Sequence, residues 1–177
     1  LAEGCIDHAL GWLDEWLAKQ WGTPRNENGE PQRMVVLGMG KLGGQELNFS
    51  SDIDLIFCYP EPGFTDGART LANEEYFTRL GRQLIAALDE QTADGQVFRV
   101  DMRLRPYGQS GPLVTSFNGM EIYYQSQGRE WERYALIKAR VVGGDYGHGE
   151  QLLECLAPFV YRRYLDFGAM ESLRAMK

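Results

Sequence analysis

The sequence is poor in the residues that usually bind transition metals or staple small folds. Its two histidines, His8 and His148, stand far apart, and its three cysteines, Cys5, Cys58 and Cys155, are scattered and odd in number. That pattern excludes a His/Cys zinc site and a disulfide framework, and it fits a reducing, cytoplasmic setting. No run approaches the roughly 20 apolar residues of a membrane span, so no membrane partner is expected. Positive charge is also scarce: 18 Lys and Arg face 25 Asp and Glu, a net charge of −7. A general nucleic-acid binder needs a basic stripe to neutralise phosphates, so none is expected here, whereas a pocket that grips a nucleotide through metal ions remains open. The chain opens at Leu1 with neither a basic segment nor a long apolar run, so it carries no signal-peptide pattern and reads as a piece of something larger.

What is present suits one globular domain of 177 residues, 44% hydrophobic and 24% charged. Leu10, Leu13, Leu17 and Trp21, with Trp16 alongside, recur at helical spacing and predict a helix over 5–21. A polar loop follows over 22–32, then a short buried strand from Met34 to Leu37. Residues 38–51 are glycine-rich. Ile53 to Tyr59 read as a second strand, stopped by Pro60 and Pro62. After a loop over 61–70, Asn73 serves as N-cap for a helix whose stripe is Phe77, Leu80, Leu84 and Leu88. Val97 to Arg105 alternate strictly and predict a third strand. Helices are expected over 117–127, 129–142, 150–165 and 169–177, with Trp131, Tyr134, Ala135 and Val142 in the core. The fold class is α+β, divided as an N-terminal helix and loop (1–30), a catalytic core (31–115) and a helical segment packed on it (116–177).

The chemistry concentrates in acids. Side chains alternate along a strand, so Asp52 and Asp54 point one way while Ile53, Leu55 and Phe57 enter the core. Two such carboxylates repel unless a cation lies between them, and hard divalent cations take oxygen ligands. On the third strand Arg99, Asp101, Arg103 and Arg105 share the face opposite Phe98, Val100, Met102 and Leu104. Three carboxylates from two strands can hold a two-metal site for phosphoryl or nucleotidyl transfer. A solvated D-x-D turn and a surface ladder of salt bridges are the plainer readings of the same residues.

Gly38-Met39-Gly40-Lys41-Leu42-Gly43 spells the G-x-G-x-x-G dinucleotide fingerprint, but the context fails. Seven residues separate Gly44 from Asp52, too few for a βαβ crossover, and the acids open the second strand instead of closing it. No Lys-Ser/Thr pair follows, so the chain has no Walker A loop. Gly43 and Gly44 can instead bring bare backbone N–H groups to a phosphate. Ser51 can add a hydroxyl and Lys41 a charge, with plain solvent exposure the equal alternative for Lys41.

Gly43-Gly44, seven residues, then Asp52-Ile53-Asp54-Leu55 resembles the signature of the DNA polymerase β-like nucleotidyltransferase superfamily. The wider string over 36–56, with Val-Asp-Met-Arg-Leu-Arg-Pro-Tyr-Gly (100–108), Gly-Arg-Glu-Trp-Glu-Arg-Tyr-Ala-Leu-Ile-Lys-Ala-Arg (128–140) and Tyr-Arg-Arg-Tyr-Leu-Asp-Phe (161–167), resembles the glutamate–ammonia-ligase adenylyltransferase family. The resemblance implies a small mixed sheet flanked by helices, with a helical C-terminal segment. It implies Asp52, Asp54 and Asp101 as catalytic ligands of Mg²⁺ or Mn²⁺, with ADP, ATP and phosphate as substrates or products. Gly43, Gly44, Ser51, Arg103 and Arg105 are the candidates for holding nucleotide or phosphate; for the two arginines, surface salt bridging is the alternative. Where the superfamily often has serine, Gly44 offers only its backbone. Lys138 is a weaker candidate for reaching a nucleotide. Such enzymes act on glutamine synthetase, in nitrogen regulation, with the PII signal protein and glutamine as implied effectors. The strings point to the adenylyl-removing half, which releases ADP by phosphorolysis. Adenylylation from ATP is the first alternative, and a non-catalytic regulatory module the second.

Overall fold

The structure, a computed structural model, describes residues 1–49, 51–93 and 95–161. The helix expected over 169–177, the end of the one expected over 150–165, and Ser50 within the 36–56 string lie outside the described residues. The elements follow in the order α1 (Ala2–Trp21), β1 (Pro24–Asn26), β2 (Val35–Gly38), α2 (Gly40–Gly43), β3 (Ile53–Tyr59), β4 (Gly63–Thr65) and α3 (Asn73–Asp89). Then come β5 (Val100–Asp101), β6 (Val114–Ser116), α4 (Phe117–Ser126), α5 (Glu130–Leu136), β7 (Arg140–Gly144) and α6 (Tyr146–Val160). The chain is α+β, built on one mixed sheet with helices on both faces.

Strand β3 is the centre of that sheet. It runs antiparallel to β2, with Leu37 opposite Ile56, and β2 in turn pairs antiparallel with β7. On its other edge β3 pairs in parallel with two short strands, β5 near its start (Asp54 opposite Asp101) and β6 near its end (Phe57 opposite Val114). Alternation explains the two cores. Ile53, Leu55, Phe57 and Tyr59 pack with Ile6, Leu10, Leu17, Phe77, Leu80 and Leu84 of α1 and α3. Ile56 and Cys58 pack on the opposite face with Met120, Tyr124, Leu152 and Leu156 of α4 and α6. Each such buried side chain stabilises by about 1.5–3 kcal/mol. Asp54 and Asp52 continue the register of Ile56 and Cys58 toward the start of the strand.

Several elements differ from the sequence reading. The third strand, expected over 97–105, pairs only at Val100–Asp101. The Asp101 carboxylate accepts the Arg103 N–H at 2.8 Å, an Asx-type turn that ends the strand. The helix expected over 129–142 stops at Leu136, because Arg140–Gly144 supplies the second partner of β2; pairing a distant edge outweighs local propensity. Short strands β1 and β4 pair across the expected loops, Arg25 opposite Phe64. Asn73 is the first helical residue and Ala72 holds the N-cap. The Asn73 carboxamide is buried and donates to the carbonyls of Arg25 (2.9 Å) and Glu61 (3.1 Å), tying α3 to that ribbon. Trp131 is exposed, not core, whereas Val142 is buried.

Candidate active site

The acids come together at the start of β3. Gly40, Lys41, Ser51, Asp52, Asp54, Arg99, Asp101 and Arg103 line one cavity of about 450 Å³. Asp54 stands on β3 beside Asp101 on β5, neighbours in register on parallel strands. The Met39 N–H donates to the Asp54 carbonyl at 2.9 Å, joining the glycine segment to the acid strand. Gly40 has φ +51°, and a side chain there would press on Asp54 Oδ2, so a glycine lets the backbone lie against the carboxylate.

Charges around the acids are paired. Asp52 accepts an ion pair from Arg99 Nε at 2.6 Å. Asp101 is gripped by Arg103, whose Nε lies 2.7 Å and Nη2 2.5 Å from Oδ2. The hydrogen bonds from Arg103 hold the Asp101 carboxyl below the usual carboxylate range. Asp54 is pushed the other way, by burial first and then by the charges of Asp101 and Asp52. The pull between Asp101 and Arg103 also raises the guanidinium. Lys41 Nζ reaches Ser51 Oγ at 3.5 Å in the same cavity lining.

Three expected contacts take a different form. The N–H groups of Gly43 and Gly44 are spent inside the α2 turn, on the carbonyls of Met39 and Gly40, each at 3.0 Å. Gly43 is a packing residue: a methyl group there would overlap the carbonyl oxygens of Lys138 and Gly38. Arg105 turns into its own loop and donates to the carbonyls of Met102 (2.7 Å), Pro112 (3.1 Å), Gln109 (3.3 Å) and Gly111 (3.5 Å). It borders a neighbouring cavity of about 550 Å³ that shares Asp52, Arg99, Asp101 and Arg103 with the first. Lys138 pairs with Glu46 at 2.7 Å, and Arg140 donates to the carbonyls of Gly43 and Leu42 while pairing with Glu3. The 128–140 string thus braces α2 from behind.

Arg99 and Gly40 line the cavity in addition to the residues expected from the sequence. Arg99 shared the alternation of Arg103 and Arg105, so the signal was there. Gly40 sat inside the rejected fingerprint.

The donor set tests whether a divalent cation suits the site. Three carboxylates, a serine hydroxyl and a cavity offer hard oxygen ligands of the kind Mg²⁺ and Mn²⁺ take. Among the described residues no three His, Cys, Asp or Glu side chains already stand close enough to enclose a metal ion; Arg99 and Arg103 hold two of the acids instead. The chemistry fits, in an ion-paired arrangement.

Residues 1–155 match the sequence profile of the family described as glutamate–ammonia ligase adenylyltransferase. Among curated relatives, a bifunctional glutamine synthetase adenylyltransferase/adenylyl-removing enzyme of Pseudomonas aeruginosa is 69% identical over 179 residues. Proteins of the same name from Nitrosococcus oceani and Thioalkalivibrio sulfidiphilus are 67% and 62% identical. Each comparison covers 100% of this chain and 18% of the relative, so the chain spans about a fifth of their length.

Proposed function

The chain belongs to the glutamate–ammonia ligase adenylyltransferase family, and we propose that it is a nucleotidyltransferase unit that removes AMP from an adenylyl-tyrosine of glutamine synthetase. In this reading inorganic phosphate attacks the AMP phosphorus, the bond to the tyrosine oxygen breaks, and ADP leaves. The observation that carries nucleotidyl transfer is the gathering of Asp52, Asp54 and Asp101 with Arg99 and Arg103 around one cavity; the resemblance of the strings over 48–54, 129–135 and 162–167 to the adenylyl-removing half favours the direction. Asp52, Asp54 and Asp101 would hold Mg²⁺ or Mn²⁺. Bound there, the cations would neutralise charge on the attacking and leaving oxygens.

The chain's own residues have limited work to do. Phosphate arrives already anionic, so no strong general base is needed, and a phenol, with its ordinary pKa near 10, is a modest leaving group. Arg103 supplies a fork that matches phosphate oxygens. Ser51 and Lys41 offer a hydroxyl and a charge in the same cavity. Gly40 lets the backbone close against Asp54. The cytoplasm supplies the partner protein, and a PII signal protein is the regulator this reading implies.

Adenylylation from ATP is kept as a second reading, because the name of the relatives covers both activities. ADP release from adenylylated glutamine synthetase on adding phosphate supports removal; incorporation of AMP from ATP supports the second reading. Asp101→Asn should lower either rate on the order of 10³-fold with the fold intact by circular dichroism. Unchanged phosphorolysis in that variant would overturn the metal-site reading. A merely regulatory module does not need three acids around one cavity.

A further inference from the structure

Asp52, Asp54 and Asp101 line the same cavity as Lys41, Arg99 and Arg103, so carboxylates and cationic side chains balance without any added ion. The two arginines reach the acids from solvent. The Arg103 side chain is 69% exposed while its Asp101 partner is 14% exposed, and Arg99 is 62% exposed against 45% for Asp52. Neither guanidinium is packed into the core, unlike that of Arg133, which is 3% exposed, and that of Arg103 spends its side-chain hydrogen bonds on Asp101, not on loop carbonyls as Arg105 does. Arg103 can swing away without opening a cavity, Arg99 likewise meets its acid from the solvent side, and both already border the space a phosphate would use.

We propose that Arg99 and Arg103 are exchangeable counter-ions that hold Asp52 and Asp101 until divalent cations take those carboxylates, and then turn to the phosphate groups of the bound nucleotide. The inference rests on the reading of the three acids as a metal site. A divalent cation and a guanidinium compete for the same carboxylate oxygens. Each cation that enters adds two charges and releases an arginine, leaving a positive surplus that an anionic substrate balances. Metal and phosphate binding are therefore coupled, and by linkage each tightens the other. The exchange also assigns Arg99 as a phosphate-positioning residue alongside Arg103.

The test is a Mn²⁺ titration followed by electron paramagnetic resonance of free Mn²⁺, on the protein and on Arg99→Ala, Arg103→Ala and Arg103→Lys. ADP binding is measured in parallel by calorimetry at saturating Mn²⁺. Arg103→Ala should bind Mn²⁺ about 3- to 10-fold more tightly without nucleotide, because a forked competitor is gone, and bind ADP about 10-fold more weakly with Mn²⁺ present. Arg99→Ala should show the same opposite signs, each about 2- to 5-fold. Arg103→Lys, which keeps the charge without the fork, should fall between. Arg79→Ala, which breaks an exposed pair with Glu75 far from the cavity, should change neither. An arginine with a purely structural role would weaken both affinities or neither, and that result overturns the exchange while leaving the metal site standing. If the unaltered protein binds no Mn²⁺, the metal reading fails first and the exchange falls with it.

Discussion

The cavity has two walls built on different principles. One wall is the glycine segment 38–44. Met39, Leu42 and Gly43 are buried there, Gly43 rests against the Lys138 carbonyl, and Arg140 closes the end of α2 from behind. The other wall is the segment 99–111, where Arg99, Arg103 and Gln109 are exposed, ion pairs hold Asp52 and Asp101, and Arg105 gathers four carbonyls of its own loop. Backbone contact dominates the first wall, and ion pairs and side-chain hydrogen bonds mark the face that the second turns to the cavity. The first should therefore refuse added volume at Gly43, and the second should respond to the loss of a charged side chain.

Gly43→Ala is the strongest way to break that comparison. Its methyl group meets two carbonyl oxygens of the backbone, which cannot step aside as a flexible side chain can. The expected cost is about 3 kcal/mol in urea unfolding. Gly44→Ala, one residue on, meets chiefly the aliphatic stem of Lys138 at 3.1 Å and should cost less than about 1 kcal/mol. Equal losses at the two positions would show that the wall is not set by backbone contact. On the other wall, Arg105→Ala removes donors to four carbonyls and should cost about 1–2 kcal/mol. Hydrogen exchange should quicken for amides of residues 102–112 and stay unchanged in the glycine segment. Faster exchange in both would mean that the walls are one cooperative unit.

This division also explains which features could be read in advance. The bounds of β3 were legible because both of its faces are buried and Pro60 ends it, and those of α3 because Phe77, Leu80, Leu84 and Leu88 mark one stripe. The Asp52–Asp54 pair was legible from strand alternation. The same rule overran at 97–105, where the Asp101 side chain captures the Arg103 N–H and turns the chain; alternation carries no sign of that. Strand β7 was hidden because its partner β2 lies about a hundred residues earlier, and nothing local in Val141 and Val142 announces an edge to be filled. The contacts that Gly43 and Arg105 make in the fold were not legible for a related reason. A glycine that admits a ligand and one that admits a neighbouring carbonyl look alike in sequence, as do an arginine that meets phosphate and one that holds its own loop.

The finest test of the two walls is the titration of the acids they flank. Asp54, crowded by burial and by Asp101 and Asp52, is raised above its ordinary value. Its ionisation therefore costs the folded state, and its contribution is most favourable below the ordinary carboxylate value near 4 and is lost as pH rises through the raised one. Asp101, gripped by Arg103, is lowered, so its contribution is present above that ordinary value and is lost as pH falls through the lowered one. In metal-free buffer, Asp54→Asn should raise the melting temperature at neutral pH, and the gain should fade as the solution is acidified. Asp101→Asn should lower it at neutral pH, and that loss should fade at lower pH still. Each effect should be about 1 kcal/mol or less, given the solvent around the site. Thermal unfolding from roughly pH 3 to 7 covers both windows, and differences of one sign for the two variants would mean that a shared electrostatic environment, not two unlike walls, governs the acids.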